Sequence, residues 1–439
     1  MSRGARSAIV ISAAFVAAAV PAGAHAAAIK VTTRADEFGP AGAGCGLREA
    51  VEAANTNAPF GGCQRGGGAT DTVSVRGGRT YELVLPGLDA VNAVGDLDVI
   101  DRLTVETRKR GRATVDAGGL DRAIEVHPNS RLAVSGLRIT DGAVATIESG
   151  AGILSQGRLE LRRTVVSGNQ IPGGGGSGQG GGIASIDGQT ILHRTSVMGN
   201  VISSFGSGGG LYQQGGKLRV RESTVAGNTA YGGGGVFISG DTPTSIKATT
   251  ISGNTDYGEQ YGGGGVYAFN GLGKPSPIRV TNVTISGNRS YGRGGGIYAG
   301  GNADVNLNAA TVTNNIGDFD GDAGGTISGS GGGLHGFVDF ENSILAGNFA
   351  SNAGAEDCYE TGGGEHNVVG RGTGCANPDV GTNNPRLGPL AKNGGPTKTH
   401  ALKRRSAAIG RAGRSAPARD QRGRKRDRDP DAGAFERGA

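Results

Sequence analysis

Asp318, Asp320 and Asp322 alternate in the run Asp-Phe-Asp-Gly-Asp, inside a glycine-rich stretch. Hard cations take carboxylate oxygens from flexible loops of this kind, so the three aspartates form a candidate calcium site. An EF-hand loop starting at Asp318 would place a bidentate glutamate at its twelfth position, where Gly329 stands. A solvated loop is the competing reading. The 6 histidines are scattered without metal-ligand spacing and read as surface residues. Cys45 and Cys63 lie close together near one end, and Cys358 and Cys375 near the other. No Cys-x-x-Cys occurs and nearly three hundred residues separate the pairs, which favours two local disulfides over a zinc site. Disulfides in turn imply an oxidising compartment.

What positions these residues is a repeat. Three glycines and an aliphatic residue recur at Gly180 to Ile183, Gly208 to Leu211, Gly233 to Val236, Gly263 to Val266, Gly294 to Ile297 and Gly331 to Leu334. A second phrase ends at Asn169, Asn200, Asn228, Asn254, Asn288 and Asn348, with a degenerate copy at Asn315, so the stops fall 26 to 34 residues apart. A fixed period of that size marks one unit stacked on itself. None of the glycine phrases continues into Gly-Lys-Ser/Thr, so they are not phosphate cradles.

Each unit holds two to three short strands. Leu218 and Val220, or Val305, Leu307 and Ala309, alternate with polar residues as half-buried strands do. The turns are too short for helices, so equivalent strands of successive units pair in parallel. The fold class is therefore all-β, a single-stranded right-handed parallel β-helix with a short N-terminal capping helix. Glycine and asparagine suit its corners because both tolerate positive φ, and stacked asparagines can share amide hydrogen bonds as ladders. With 87 glycines that are clustered rather than every third residue, collagen is excluded. The 36% hydrophobic residues, without tryptophan, suffice for a core of aligned Val, Ile, Leu and Ala.

The ends differ from the middle. Residues 1–26 carry Arg3 and Arg6, an apolar run from Ala8 to Val20 and small residues around Ala24 and Ala26, the pattern of a secretory signal peptide. Residues 27–70 form a cap, in which Leu47, Ala50, Val51 and Ala54 share one helical face. Residues 71–355 are the β-helix and 356–439 a C-terminal region with a basic tail. No later segment is long enough for a transmembrane helix, so the mature chain is expected to be secreted, extracellular or at the cell surface, with the periplasm as the other destination. The net charge of +6 belongs to the tail, since residues 403–439 hold 12 Lys and Arg against 5 Asp and Glu. Interleaved aspartates make that tail a solvated charged loop, and no nucleic-acid partner is expected.

Cys45-Gly-Leu-Arg-Glu-Ala50 differs by one residue from the phrase that names the CSLREA domain, and Gly95-Asp-Leu-Asp98 follows as in that family. Leu387-Gly-Pro-Leu, Asn393-Gly-Gly-Pro-Thr397, Thr399-His-Ala-Leu402, Asp420-Gln-Arg-Gly423 and Asp431-Ala-Gly-Ala-Phe-Glu436 resemble the choice-of-anchor Q domain. The coils between are similar to β-helix repeats of the pectate-lyase-like and polymorphic-outer-membrane-protein kind. The resemblance implies a surface-exposed or released bacterial protein whose terminal domain precedes a sorting signal. Only Arg437, Gly438 and Ala439 follow Glu436, and basic residues fill Lys403 to Arg419 where the family has a Pro- and Asp-containing turn.

Two functions follow. One is a non-enzymatic scaffold or adhesin-like surface that binds a polysaccharide or another cell-envelope polymer through a Ser/Thr/Asn-rich face. The other is a carbohydrate-active enzyme, either a polysaccharide lyase or a glycoside hydrolase. Of the polygalacturonase motifs only Asn254-Thr255-Asp256 occurs, as one more stop of the repeat; His335 lacks the glycine before it, and no Asp-Asp pair or Arg-Ile-Lys is present. Catalytic residues are therefore assigned to none. Carboxylates converging with a Lys or Arg in one groove would speak for the enzyme, a bare polar face for the scaffold.

Overall fold

The computed structural model describes residues 25–39, 44–239, 242–260, 262–271, 273–321, 331–351, 357–370, 374–375 and 380–438. Of the segment expected to be a signal peptide, residues 1–24 lie outside them, as does Asp322. The chain forms a parallel β-solenoid of about 9 turns. A typical turn runs through Ile153–Ser155, Arg158–Arg162, Val165–Ser167 and Gln170–Ile171. Equivalent strands stack into four parallel sheets of 10, 11, 12 and 7 strands respectively. The fourth strand exceeds the two or three expected from the pattern. It has only two residues and follows the asparagine directly, too short to show alternation.

Register explains the core. Ile153, Ile183, Leu211, Val236, Val266, Ile297 and Leu334 pair in sequence down the 10-stranded sheet. Val166, Val197, Val225, Ile251, Ile285, Val312 and Leu345 do the same down the 12-stranded sheet. None of these side chains is more than 1% exposed. Each contributes about 1.5–3 kcal/mol of apolar burial.

Along one corner the asparagines form a continuous ladder. Asn169, Asn200, Asn228, Asn254, Asn288, Asn315 and Asn348 each donate Nδ2–H to the Oδ1 of the next, at 2.8 to 2.9 Å, and the last donates to Asp357 Oδ1 at 2.8 Å. The same Oδ1 accepts the backbone N–H of the preceding asparagine. From Asn200 onward the second amide hydrogen goes to an interior strand carbonyl, such as Val225 O for Asn254. Asp357 ends the run because a carboxylate accepts without needing to donate.

Two other corners are set by backbone conformation. Gly233 has φ +63°, and a Cβ on the third glycine of its phrase, Gly235, would collide with Gly265 O one turn on. Between the 11- and 12-stranded sheets, Arg163, Arg194, Glu222, Ala248, Asn282, Ala309 and Asn342 all take φ of +49° to +55°. No common side chain selects that conformation, so the stacking of turns imposes it.

The first turns are closed by the helix Leu47–Thr56, which is the one helix among the described residues. Gly46 N–H donates to Glu49 Oε2 and starts it; Asn57, at φ +54°, stops it. Leu47, Ala50, Val51 and Ala54 are buried in the cluster that holds Ile29, Val73, Leu97 and Leu103. Arg48 is fully buried. It donates to both Asp36 oxygens at 2.7 and 3.1 Å, and to the carbonyls of Asn92, Val94, Gly95 and Asp96 at 2.7 to 3.2 Å. Asp36 Oδ2 also accepts the N–H groups of Val84 and Leu85. One guanidinium thus ties the helix to the Gly-Asp-Leu-Asp stretch. Ala28–Lys30 pairs with Asp71–Arg76, so the segment before the helix already belongs to the 11-stranded sheet.

The C-terminal region lies along the outer face of the 12-stranded sheet. Strands continue the solenoid to Val380–Gly381, and then Leu387–Ala391 and Thr399–Leu402 form an antiparallel pair. Gln421 donates to Thr250 Oγ1 and accepts from Thr284 Oγ1, Arg426 Nη2 donates to Asn282 Oδ1, and Ala434 N–H donates to Thr311 Oγ1. Leu402, Ala408, Ala432 and Phe435 pack on Ile344 and Val368. The tail is not the solvated loop its composition suggested. Arg422–Asp420 and Arg426–Glu436 are ion pairs whose side chains are at most 4% exposed.

His400 holds this clasp by accepting from Ser286 Oγ at Nε2, 2.9 Å, while Nδ1–H donates to Gly388 O at 2.7 Å. Burial lowers its pKa below the ordinary histidine value and outweighs the Gly388 carbonyl, which raises it. The folded protein therefore takes up this proton less readily than the unfolded chain. The stabilisation is present above the unfolded value, about 6.5, and is lost as pH falls through that window. The thermal midpoint should drop more steeply between neutral and mildly acid pH in the native protein than in His400→Gln; equal slopes would refute the assignment.

Candidate functional site

All four cysteines are in disulfides, Cys45–Cys63 at the cap and Cys358–Cys375 after the last glycine phrase. In the aspartate run, Asp318 is fully buried with its N–H on Gly292 O, whereas Asp320 is exposed. Thus the two described members of the calcium candidate face different environments. Asn254 is a rung of the ladder, and Asp256 is completely buried, accepting from Ser290 Oγ at 2.6 Å and Gly258 N–H at 3.1 Å. Burial pushes its carboxyl up to about 8 against those two hydrogen bonds. The two side chains of this phrase that a polygalacturonase-like site would use, Asn254 and Asp256, are therefore buried in the wall of the solenoid. His335 sits in an outward column of rings, edge-on to Tyr298 at 5.3 Å and stacked on Tyr359 at 5.2 Å. The column continues through Tyr267, Phe237 and Tyr212, and these three rings are no more than 9% exposed. They brace successive turns rather than offer a platform.

A cleft of about 470 Å³ opens where the clasp meets the solenoid corner. On the solenoid side, His193, Arg221 and Lys247 occupy register-matched positions on successive turns of the 11-stranded sheet. Successive strands are only about 4.8 Å apart, so like charges are held closer than unrestrained side chains would settle. Arg194 and Glu222 sit at the adjoining left-handed corner. The clasp supplies Arg419, Asp420 and Arg422. The lining thus holds five Arg and Lys against Glu222 and Asp420.

Both acids are already engaged. Glu222 is within 2.7 Å of Arg194, 3.1 Å of Arg221 and 3.6 Å of His193. Burial raises its pKa, but these cations outweigh burial and hold it below the usual carboxylate value. Asp420 accepts from Arg422 Nε at 2.7 Å, and that guanidinium lies 3.7 Å over Phe435. A general acid needs a raised pKa near the working pH; Glu222 has the reverse. Lys247 makes no ion pair among the described residues. What the cleft can do is hold anions. Sequence reasoning missed it because its halves come from residues 194–282 and 396–423, and the phrases found there, the asparagine stops and Asp420-Gln-Arg-Gly423, do not signal that the two halves meet.

A second charged group lies at the other end, on the outer face of the 10-stranded sheet. Asp98 and Glu125 are register partners, and His127 follows on the same face. Arg122 reaches Glu125 at 2.5 Å, Glu148 at 3.2 Å and Asp96 at 3.8 Å. Burial first, and then the Asp98 charge, push the Asp96 carboxyl up to about 8. Carboxylates and an arginine do converge here, yet Asp96 and Asp98 are only 2% and 1% exposed, beneath the loop that Arg48 holds. Gly95, at φ +62°, allows that loop to close, since a Cβ there would stand 2.6 Å from Asp121 Oδ2.

No protein-family model matches the chain, and no curated protein matches it.

Proposed function

We propose that this is an exported β-solenoid scaffold that binds an acidic polysaccharide or a comparable polyanionic envelope polymer without cleaving it. The observation that carries the reading is the cleft in which Arg221 and Lys247, stacked in register, face Arg419 of the clasp. Uronate carboxylates repeat along such a polymer, and a rigid array of cations spaced by the turn of a solenoid is suited to them. Two disulfides and the signal-peptide pattern support an exported setting. The resemblance of Cys45–Ala50 to the CSLREA phrase, and of the Leu387–Glu436 region to choice-of-anchor Q, supports a bacterial surface or released protein. The basic tail then acts as one wall of a binding site.

The test is a panel of uronate-containing and neutral polysaccharides presented to the purified protein, scoring both retention and release of reducing or unsaturated ends. Retention of the uronate polymers should weaken with salt. It should fall about tenfold or more in Lys247→Ala/Arg419→Ala, equivalent to roughly 1.4 kcal/mol per factor of ten. Equal retention of neutral polymers would sink the proposal, and product release would overturn its non-enzymatic half.

A further inference from the structure

The geometry points to a divalent transition-metal site formed by Asp98, Glu125 and His127 on adjacent turns of the solenoid. One ligand atom from each can be chosen so that all three lie within 4.8 Å of one another. His127 Nε2 stands 2.6 Å from Asp98 Oδ1 and 4.0 Å from Glu125 Oε1. The fold fixes all three. Asp98 and Glu125 are opposed across a parallel ladder, and His127 is two residues beyond Glu125, which returns its side chain to the same face. An ion at their centre would replace the hydrogen bond between His127 and Asp98, with the imidazole hydrogen on Nδ1.

Other observations mark the place as built for a cation. Asp98 is held from behind: Asn92 N–H reaches its Oδ2 at 3.3 Å, and Asn92 Nδ2 and Asn55 Nδ2 donate to its backbone carbonyl at 2.9 and 2.7 Å. Such support orients a metal ligand. Asp96 is 2% exposed, and its Oδ2 accepts no hydrogen bond from a described residue. That oxygen and a Glu125 oxygen approach the same nitrogen, Arg122 Nη1, at 3.8 and 2.5 Å. Asp96, Asp121, Glu125 and Glu148 thus gather around one arginine. The histidine selects the class of ion, because imidazole with two carboxylates suits zinc, manganese or cobalt, whereas calcium prefers oxygen alone. His127 and Glu125 side chains are 23% and 17% exposed, which leaves a path for the ion.

The test is titration of chelator-treated, tag-free protein with Zn²⁺ alone, followed by equilibrium dialysis and thermal unfolding. One equivalent should bind and raise the unfolding temperature, and Co²⁺ should give the visible spectrum of a nitrogen- and oxygen-ligated ion. His127→Gln and Glu125→Gln should each weaken binding about tenfold or more, in keeping with the loss of a direct ligand. Asp318→Asn should leave it unchanged. Glu125→Gln keeps shape at a part-exposed position, and an unaltered far-ultraviolet spectrum establishes that it folds. Absence of binding at millimolar Zn²⁺, or binding indifferent to both glutamine variants, would overturn the assignment.

Discussion

Arg48→Met should destabilise the protein by about 3–5 kcal/mol, the usual result of removing one partner from a buried ion pair. Methionine matches much of the arginine stem, so the change isolates the guanidinium. Asp36, whose side chain is 2% exposed, would keep its charge without the cation. Four carbonyls, from Asn92, Val94, Gly95 and Asp96, would lose their donor inside the protein. An unmet buried acceptor is more damaging than a bond absent from the outset. The loop would leave the helix, and the first turn would open. Urea unfolding with an unchanged m-value is the measurement. A loss under about 1 kcal/mol, the range of exposed pairs, would show that the cap does not depend on this residue. The Asp36→Asn/Arg48→Met pair should be milder than the sum of its parts, since each removes the other's uncompensated charge.

Asn254→Leu is the second large effect, about 3–5 kcal/mol, from several groups at roughly 1–3 kcal/mol each. Leucine is close in size, so no cavity complicates the reading. Asn228 would lose the acceptor of both its Nδ2–H and its backbone N–H. Val225 O would lose the Asn254 amide. Two buried N–H groups of Asn228 would then be unpaired in the middle of the ladder, and a strand carbonyl would have one donor fewer. Asn254→Asp tests the same point: an acceptor survives, but the donation to Asn288 Oδ1 does not. It should fall between the native protein and Asn254→Leu in urea midpoint. If Asn254→Leu unfolds at the native midpoint, the ladder is ornamental and the apolar columns alone carry the corner.

The repeat was legible because its constraints are local and identical from turn to turn. A glycine at Gly233 is demanded by its own φ, and an asparagine at Asn228 recurs because each rung makes the same bonds. The capping helix was legible from Leu47, Ala50, Val51 and Ala54 for the same reason. The left-handed corner was not. Arg194, Glu222, Ala248 and Asn282 share a conformation imposed by the turns above and below, and nothing in their side chains announces it. The tail misled because its charge was counted before its partners were known: Arg426 meets Glu436 while its other nitrogen is held by Asn282 and Gly433. The Gly-Asp-Leu-Asp stretch was visible as a phrase, but its grip by Arg48 required 47 residues of chain to fold back. The cleft depended on contacts across still longer separations.

The clasp changes how the solenoid can come apart. A stacked array coupled only between neighbours can shed rungs from either end, each step exposing the next. Here Thr250, Thr284, Thr311 and Ile344, on four consecutive turns, are fastened by one continuous stretch that returns from up to 171 residues away. Those turns cannot peel singly; they must be released together. Unzipping is therefore directed to the opposite end, where the helix is the latch, and the two ends of one filament differ in mechanical character although their rungs are built alike.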